Sequence, residues 1–98
     1  SVKIFGDLDA RVRRIAISPG SGKSMIKAAL DKKADVLITG DIGHHEGIDA
    51  VAQGLAVIDA GHYGIEHIFM EDMKQYLSSH LTDVEVMAAP IVHPFTII

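Results

Sequence analysis

The sequence has no cysteine and no tryptophan, and its only aromatic residues are two tyrosines and three phenylalanines. Without a thiol there is no disulfide framework, no thiolate zinc site and no cysteine nucleophile. Any metal must be held by histidine and carboxylate. No apolar run approaches the ~20 residues a membrane-spanning helix needs. The opening Ser1-Val2-Lys3-Ile4-Phe5-Gly6-Asp7 reads as neither signal nor transit peptide. A soluble, cytoplasmic protein with no membrane partner is expected. Positive charge is scarce too: nine Lys and Arg stand against 13 Asp and Glu, a net charge of −4. That balance lacks the basic footprint of phosphate-backbone binding, so no direct nucleic-acid contact is expected. Arg11, Arg13 and Arg14 read as a solvated edge beside a strand.

What remains is 98 residues, 48% of them hydrophobic, too apolar for a disordered chain and the size of one domain. Val12–Ile17 is a short β-branched run stopped by Ser18-Pro19-Gly20-Ser21-Gly22. Met25, Ile26, Ala29 and Leu30 recur at helical spacing between Lys23 and Lys33. Val36–Thr39 and Ala56–Ile58 are buried strands in pattern. Between them Ile48, Val51, Ala52 and Leu55 mark a helix over about 46–53, capped by Gly54. Ile65, Ile68, Phe69, Met73, Tyr76 and Leu77 define a third helix, near 64–79. Val84–Met87 reads as a fourth strand and Phe95–Ile98 as a fifth. The series is βαβαβαβ, which argues for an α/β fold with a mostly parallel sheet and helices on its faces. In such sheets ligands bind at the strands' carboxyl ends. Here that edge holds Pro19–Gly22, Gly40–Glu46 and Asp59–Glu66.

Gly20-Ser21-Gly22-Lys23-Ser24 is not a P-loop, because the required first glycine is Ile17. Gly61-His62-Tyr63-Gly64-Ile65-Glu66 is more specific. With His62 in the first helical turn, Glu66 lies one turn later on the same face. An imidazole nitrogen and a carboxylate oxygen can then converge on one ion; the plainer alternative is a solvated His–Glu pair. Asp41-Ile42-Gly43-His44-His45-Glu46 packs a metal or proton-transfer set into six residues, or else is an exposed loop entering a helix. Asp41, His44, His45 and Asp59 are the residues placed to add a third ligand. His67, His80 and His93 have no clustered partner in sequence, and Met70, Met73 and Met87 are expected to fill the core.

The blocks Asp35–Ile42, His45, Gly54-Leu55, Val57–Tyr63 and Glu66, with Phe5–Asp9, Val12–Ile17, Gly20–Gly22 and Pro94-Phe95, resemble the C-terminal part of the Ngg-one-interacting factor three-like family. Bacterial members are often labelled GTP cyclohydrolase I type 2 homologues. The resemblance implies that residues 1–98 form a single α/β lobe of a longer two-lobed protein, assembled as a toroidal homohexamer around paired divalent metals. It implies metal ligation by His62 and Glu66, with His45 and more loosely Asp41 lining the pocket in a catalytic role. The remaining ligands would come from an N-terminal lobe, so the isolated chain is expected to be inactive. The ions expected are zinc, iron or manganese. The implied activity is a metal-dependent hydrolase acting on GTP, a nucleotide substrate. The alternative is a non-catalytic, ring-forming metal- or nucleotide-binding protein with a regulatory or scaffolding role.

Overall fold

Short apolar runs separated by glycine turns can bury themselves only by pairing, and three of them do so in parallel. The computed structural model describes residues 1–98. Its strands are β1 (Lys3–Phe5), β2 (Ile15–Ser21), β3 (Val36–Gly40) and β4 (Ala56–Asp59), in the order β1-β4-β3-β2. β2, β3 and β4 pair in parallel, and β1 runs antiparallel to β4, so the sheet is mixed. The helices are α1 (Ile26–Asp31), α2 (His44–Ala52), α3 (Gly61–Glu66) and α4 (Ile68–His80), with a 3-10 turn over Gly22–Met25 before α1. None is long and apolar enough to cross a membrane.

Two connections, β2-α1-β3 and β3-α2-β4, step the same way across the sheet. The right-handed crossover rule then places α1 and α2 on one face. The register puts Ala16, Leu37, Val57 and Phe5 side by side on that face. Leu37 and Val57 are buried there with Ala29 of α1, Ala50 of α2 and Leu55. The alternate residues point the other way. Among them Ile15 and Ile17 of β2 and Ile4 of β1 are 55%, 66% and 46% exposed.

Both long connections end their helix in the same hydrogen-bonded stop. After α2, Gly54 takes φ +92°, its N–H bonds the Val51 carbonyl, and the Leu55 N–H bonds that of Ala50. This is the Schellman pattern that Gly54 predicts from sequence. After α1 the bonds are equivalent, Lys33 to Leu30 and Ala34 to Ala29, but the left-handed residue is Lys33 at φ +57°. A lysine in that conformation is strained by roughly 1 kcal/mol where glycine is not. Lys33→Gly is therefore expected to raise stability by about 1 kcal/mol, read as a higher urea midpoint at unchanged slope.

The structure corrects several boundaries. β2 is not Val12–Ile17 but continues through Pro19 to Ser21, with its register shifting after Ile17. An edge strand tolerates a proline, and Gly20 at φ +72° takes up the irregularity. β1 was not apparent in the sequence pattern. The helix expected over 23–33 divides into the 3-10 turn and α1, and that expected over 46–53 spans 44–52. The one expected over 64–79 is two helices broken at His67, whose carbonyl accepts the Met70 N–H three residues on. Residues 84–87 and 95–98 join no sheet, since a strand exists only as half of a ladder. The βαβαβαβ order therefore gives way to two leading strands and a helical end. Met70 and Met87 are exposed rather than core filler.

The chain divides into two compact units, Ser1–Ile65 and Glu66–Ile98. The first holds the whole sheet with α1 and α2. The second holds α4 and the segment after it, and α4 contributes no buried residue.

Candidate functional site

Because β2, β3 and β4 run in parallel, their carboxyl ends share one edge, and three glycine contacts draw the chain together there. A Cβ on Gly40, the last residue of β3, would lie 2.7 Å from the carbonyl carbon and oxygen of Gly61. A Cβ on Gly22 would lie 2.1 Å from the Thr39 hydroxyl oxygen. One on Gly43 would lie 2.1 Å from a carboxylate oxygen of Glu46. The Thr39-Gly40-Asp41 and Asp59-Ala60-Gly61-His62 blocks are thus two sides of one backbone contact. Thr39 is buried, its Oγ1 donating to the Gly20 carbonyl at 3.1 Å, and the Ala60 N–H donates to the Thr39 carbonyl at 2.9 Å.

At the centre of this edge is a carboxylate that is 2% exposed, that of Asp59. Its Oδ1 accepts the N–H groups of Asp41 at 2.8 Å and Gly61 at 2.9 Å. Its Oδ2 accepts the Ile42 N–H at 3.0 Å and the Nζ of Lys3, from β1, at 2.8 Å. Burial pushes this carboxyl's pKa up. The Lys3 bond and the N–H groups of Gly61, Ile42 and Asp41 outweigh burial and hold it below its ordinary value. Asp59 was placed by sequence to add a metal ligand. The structure gives it a different task, since both its oxygens are engaged in fastening the loop after β3 to the turn after β4.

That fastening shapes what sits above it. Asp41 is one of two non-glycine residues in the left-handed region, at φ +53°, a conformation that aspartate tolerates better than most residues. Its Oδ2 meets Nδ1 of His62, and the two side chains are 55% and 52% exposed. Of the sequence candidates, the structure therefore brings together Asp41 and His62. His45 is exposed in the first turn of α2, its ring edge-on to that of His44 at 5.4 Å. Glu66 ends α3, four residues after His62. Glu46 is committed elsewhere: it pairs with Lys23 at 2.8 Å, and that bond, with its own backbone N–H, lowers its pKa.

No three histidine, aspartate or glutamate side chains converge within either unit. With Nδ1 of His62 engaged by Asp41, the ring's donor for an ion is Nε2, which suits a divalent transition ion but fills only part of a coordination sphere. Sequence reasoning missed Asp59 as the support of this pair, and Lys3 as its counter-ion. The available signal was an aspartate ending an apolar strand just before an Ala-Gly turn.

The sequence profile of the family described as Duf34/NIF3 (NGG1p interacting factor 3) matches residues 1–94. A protein named GTP cyclohydrolase 1 type 2 homolog from Halalkalibacterium halodurans is 35% identical over 103 residues, covering 100% of this chain and 27% of its own length. Its namesake from Streptococcus pneumoniae is 48% identical over 77 residues, covering 79% of this chain and 29% of its own. The crystal structure of a Staphylococcus aureus protein matches with a TM-score of 0.85 at 35% identity, over 100% of this chain and 33% of the other. The chain thus spans less than a third of the two curated relatives. With its sequence matched almost from end to end and its fold shared, the chain belongs to the Duf34/NIF3 family.

Proposed function

We propose that this chain is the C-terminal lobe of a longer divalent-metal-binding protein. In this reading His62 and Glu66 are its ligands, and Asp41 and His45 line the pocket. The carrying observation is the meeting of Asp41 and His62 on a rigid support at the sheet's carboxyl edge. Placement of Glu66 one turn after His62 on α3 agrees with it. A bound ion of this kind would supply Lewis acidity and an activated water. The substrate class proposed is a nucleotide, GTP, from the names of the relatives. The contribution of this chain's residues is binding and orientation. Zinc, iron or manganese, two ions in a complete site, suits an imidazole-containing donor set better than calcium does.

The other ligands are assigned to an N-terminal lobe and the assembly to a homohexameric ring. The exposed aliphatic side chains of Ile4, Ile15 and Ile17 on the sheet's second face favour such partners. Titration of zinc or manganese into the full-length protein and into the 98-residue chain tests the reading. Tight binding is expected for the former and weak binding for the latter. His62→Ala and Glu66→Ala are each expected to lower the full-length affinity by 10-fold or more. Retained affinity in both variants would return the two residues to an ordinary helix pair. Metal binding without GTP turnover in the full-length protein would favour the non-catalytic, regulatory or scaffolding role.

A further inference from the structure

A metal-ligating histidine needs its second ring nitrogen held, because that bond fixes both the tautomer and the ring's direction. Here the second nitrogen has a partner built into the fold. Nδ1 of His62 meets Oδ2 of Asp41, and Asp41 sits in a left-handed conformation that its own side chain does not enforce. What enforces it is beneath: the Asp59 carboxylate takes the N–H groups of Asp41 and Ile42 on one side and of Gly61 on the other. One buried group thus sets the positions of both backbones from which Asp41 and His62 project. Its charge is balanced by Lys3 of the antiparallel β1, distant in sequence but brought beside it by the pairing of Lys3 with Asp59.

We propose that Asp59 is the positioning residue of this site: through the backbone of both loops it aims Asp41 at Nδ1 of His62, which makes Nε2 the nitrogen that meets the ion. This rests on the metal reading only for its last clause. Asp41 then acts on the ion through His62 rather than as a ligand, and β1 belongs to the site's support although it lies at the far edge of the sheet.

The test uses the full-length protein with Asp59→Asn, Lys3→Gln, Asp41→Asn, His62→Ala and, as a control, Gly54→Ala. The control lowers stability away from the loops, since Gly54 follows α2 at φ +92° with no atom within 4 Å of its Cβ. Two quantities are read: cobalt(II) affinity, and the imidazole ¹⁵N resonances of His62 in metal-free protein at one fixed pH. In the parent protein Nδ1 is expected to carry the proton. Asp59→Asn and Asp41→Asn are expected to shift His62 toward the Nε2-protonated tautomer and to weaken cobalt binding about 10–100-fold. Lys3→Gln should act in the same direction more mildly, and it carries the test if Asp59→Asn does not fold. Gly54→Ala should leave both readings unchanged.

Loss of cobalt affinity in Asp59→Asn or Lys3→Gln no greater than in Gly54→Ala, with the Nδ1 proton retained, overturns the proposal. If instead His62→Ala binds cobalt like the parent, the metal reading fails while the ¹⁵N resonances still decide whether Asp59 positions His62.

Discussion

Gly40→Ala is expected to destabilise the protein by about 3 kcal/mol, at the upper end of what one added methyl costs in a packed site. The reason is the identity of the obstacle. A Cβ at this position would lie 2.7 Å from the carbonyl carbon and oxygen of Gly61 and 3.0 Å from the nitrogen of His62. These are backbone atoms of the first two residues of α3, so no side-chain rotation relieves the contact. The chain must separate the two loops, and the Asp41–His62 contact should separate with them. Gly54→Ala provides the contrast. No atom lies within 4 Å of its Cβ, but its φ of +92° strains any side chain, so a loss nearer 1 kcal/mol is expected. Equilibrium urea unfolding of both variants checks the pair. Equal losses would mean that the two loops move apart freely and that the close approach of Gly40 to Gly61 costs little.

The contrast between these glycines also shows how far the sequence can be read. Gly54 was legible as a helix stop because a local pattern defines it: apolar spacing, then glycine, then a buried leucine. β3 and β4 were legible for the same reason, each being an uninterrupted apolar run bounded by breakers. Gly40 and Gly61 were legible only as turn residues; that they press on each other depends on the pairing of β3 with β4. Residues 84–87 show the opposite failure. Val84-Glu85-Val86-Met87 has the composition of a strand, yet strand formation depends on a partner that composition does not reveal. β1 is the converse, three residues too short to signal themselves that become a strand because β4 offers an edge. Within the site, the His62 and Asp41 blocks were visible as residue types suited to metals or protons. Asp59 looked like one more of them, because burial and four simultaneous hydrogen bonds arise only when β1, β3 and β4 are side by side.

Asp59→Ala is expected to cost about 3–5 kcal/mol at pH 7, because it strips the charged acceptor from three backbone N–H groups and from Lys3. The cost should depend on pH with a definite sign. The folded carboxyl has a pKa below its ordinary value, so the unfolded chain binds the proton first as pH falls. The stabilisation from Asp59 is therefore fully present above the unfolded pKa, near 4, and is lost as pH falls through the lower folded value. The parent protein should lose stability steeply in that window, and the Asp59→Ala variant less steeply. The variant should still have some acid dependence. Asp35 is also lowered, by the N–H groups of Arg14 and Arg13 that it accepts at 2.8 Å each, and it keeps its own contribution. Urea midpoints measured between pH 7 and pH 2.5 should thus converge toward the acid end without meeting, the residual gap being the lost packing of the side chain. A gap that stays constant across the whole range would show that the carboxylate's charge does not hold the two loops together, and that Asp59 stabilises the edge by its shape alone.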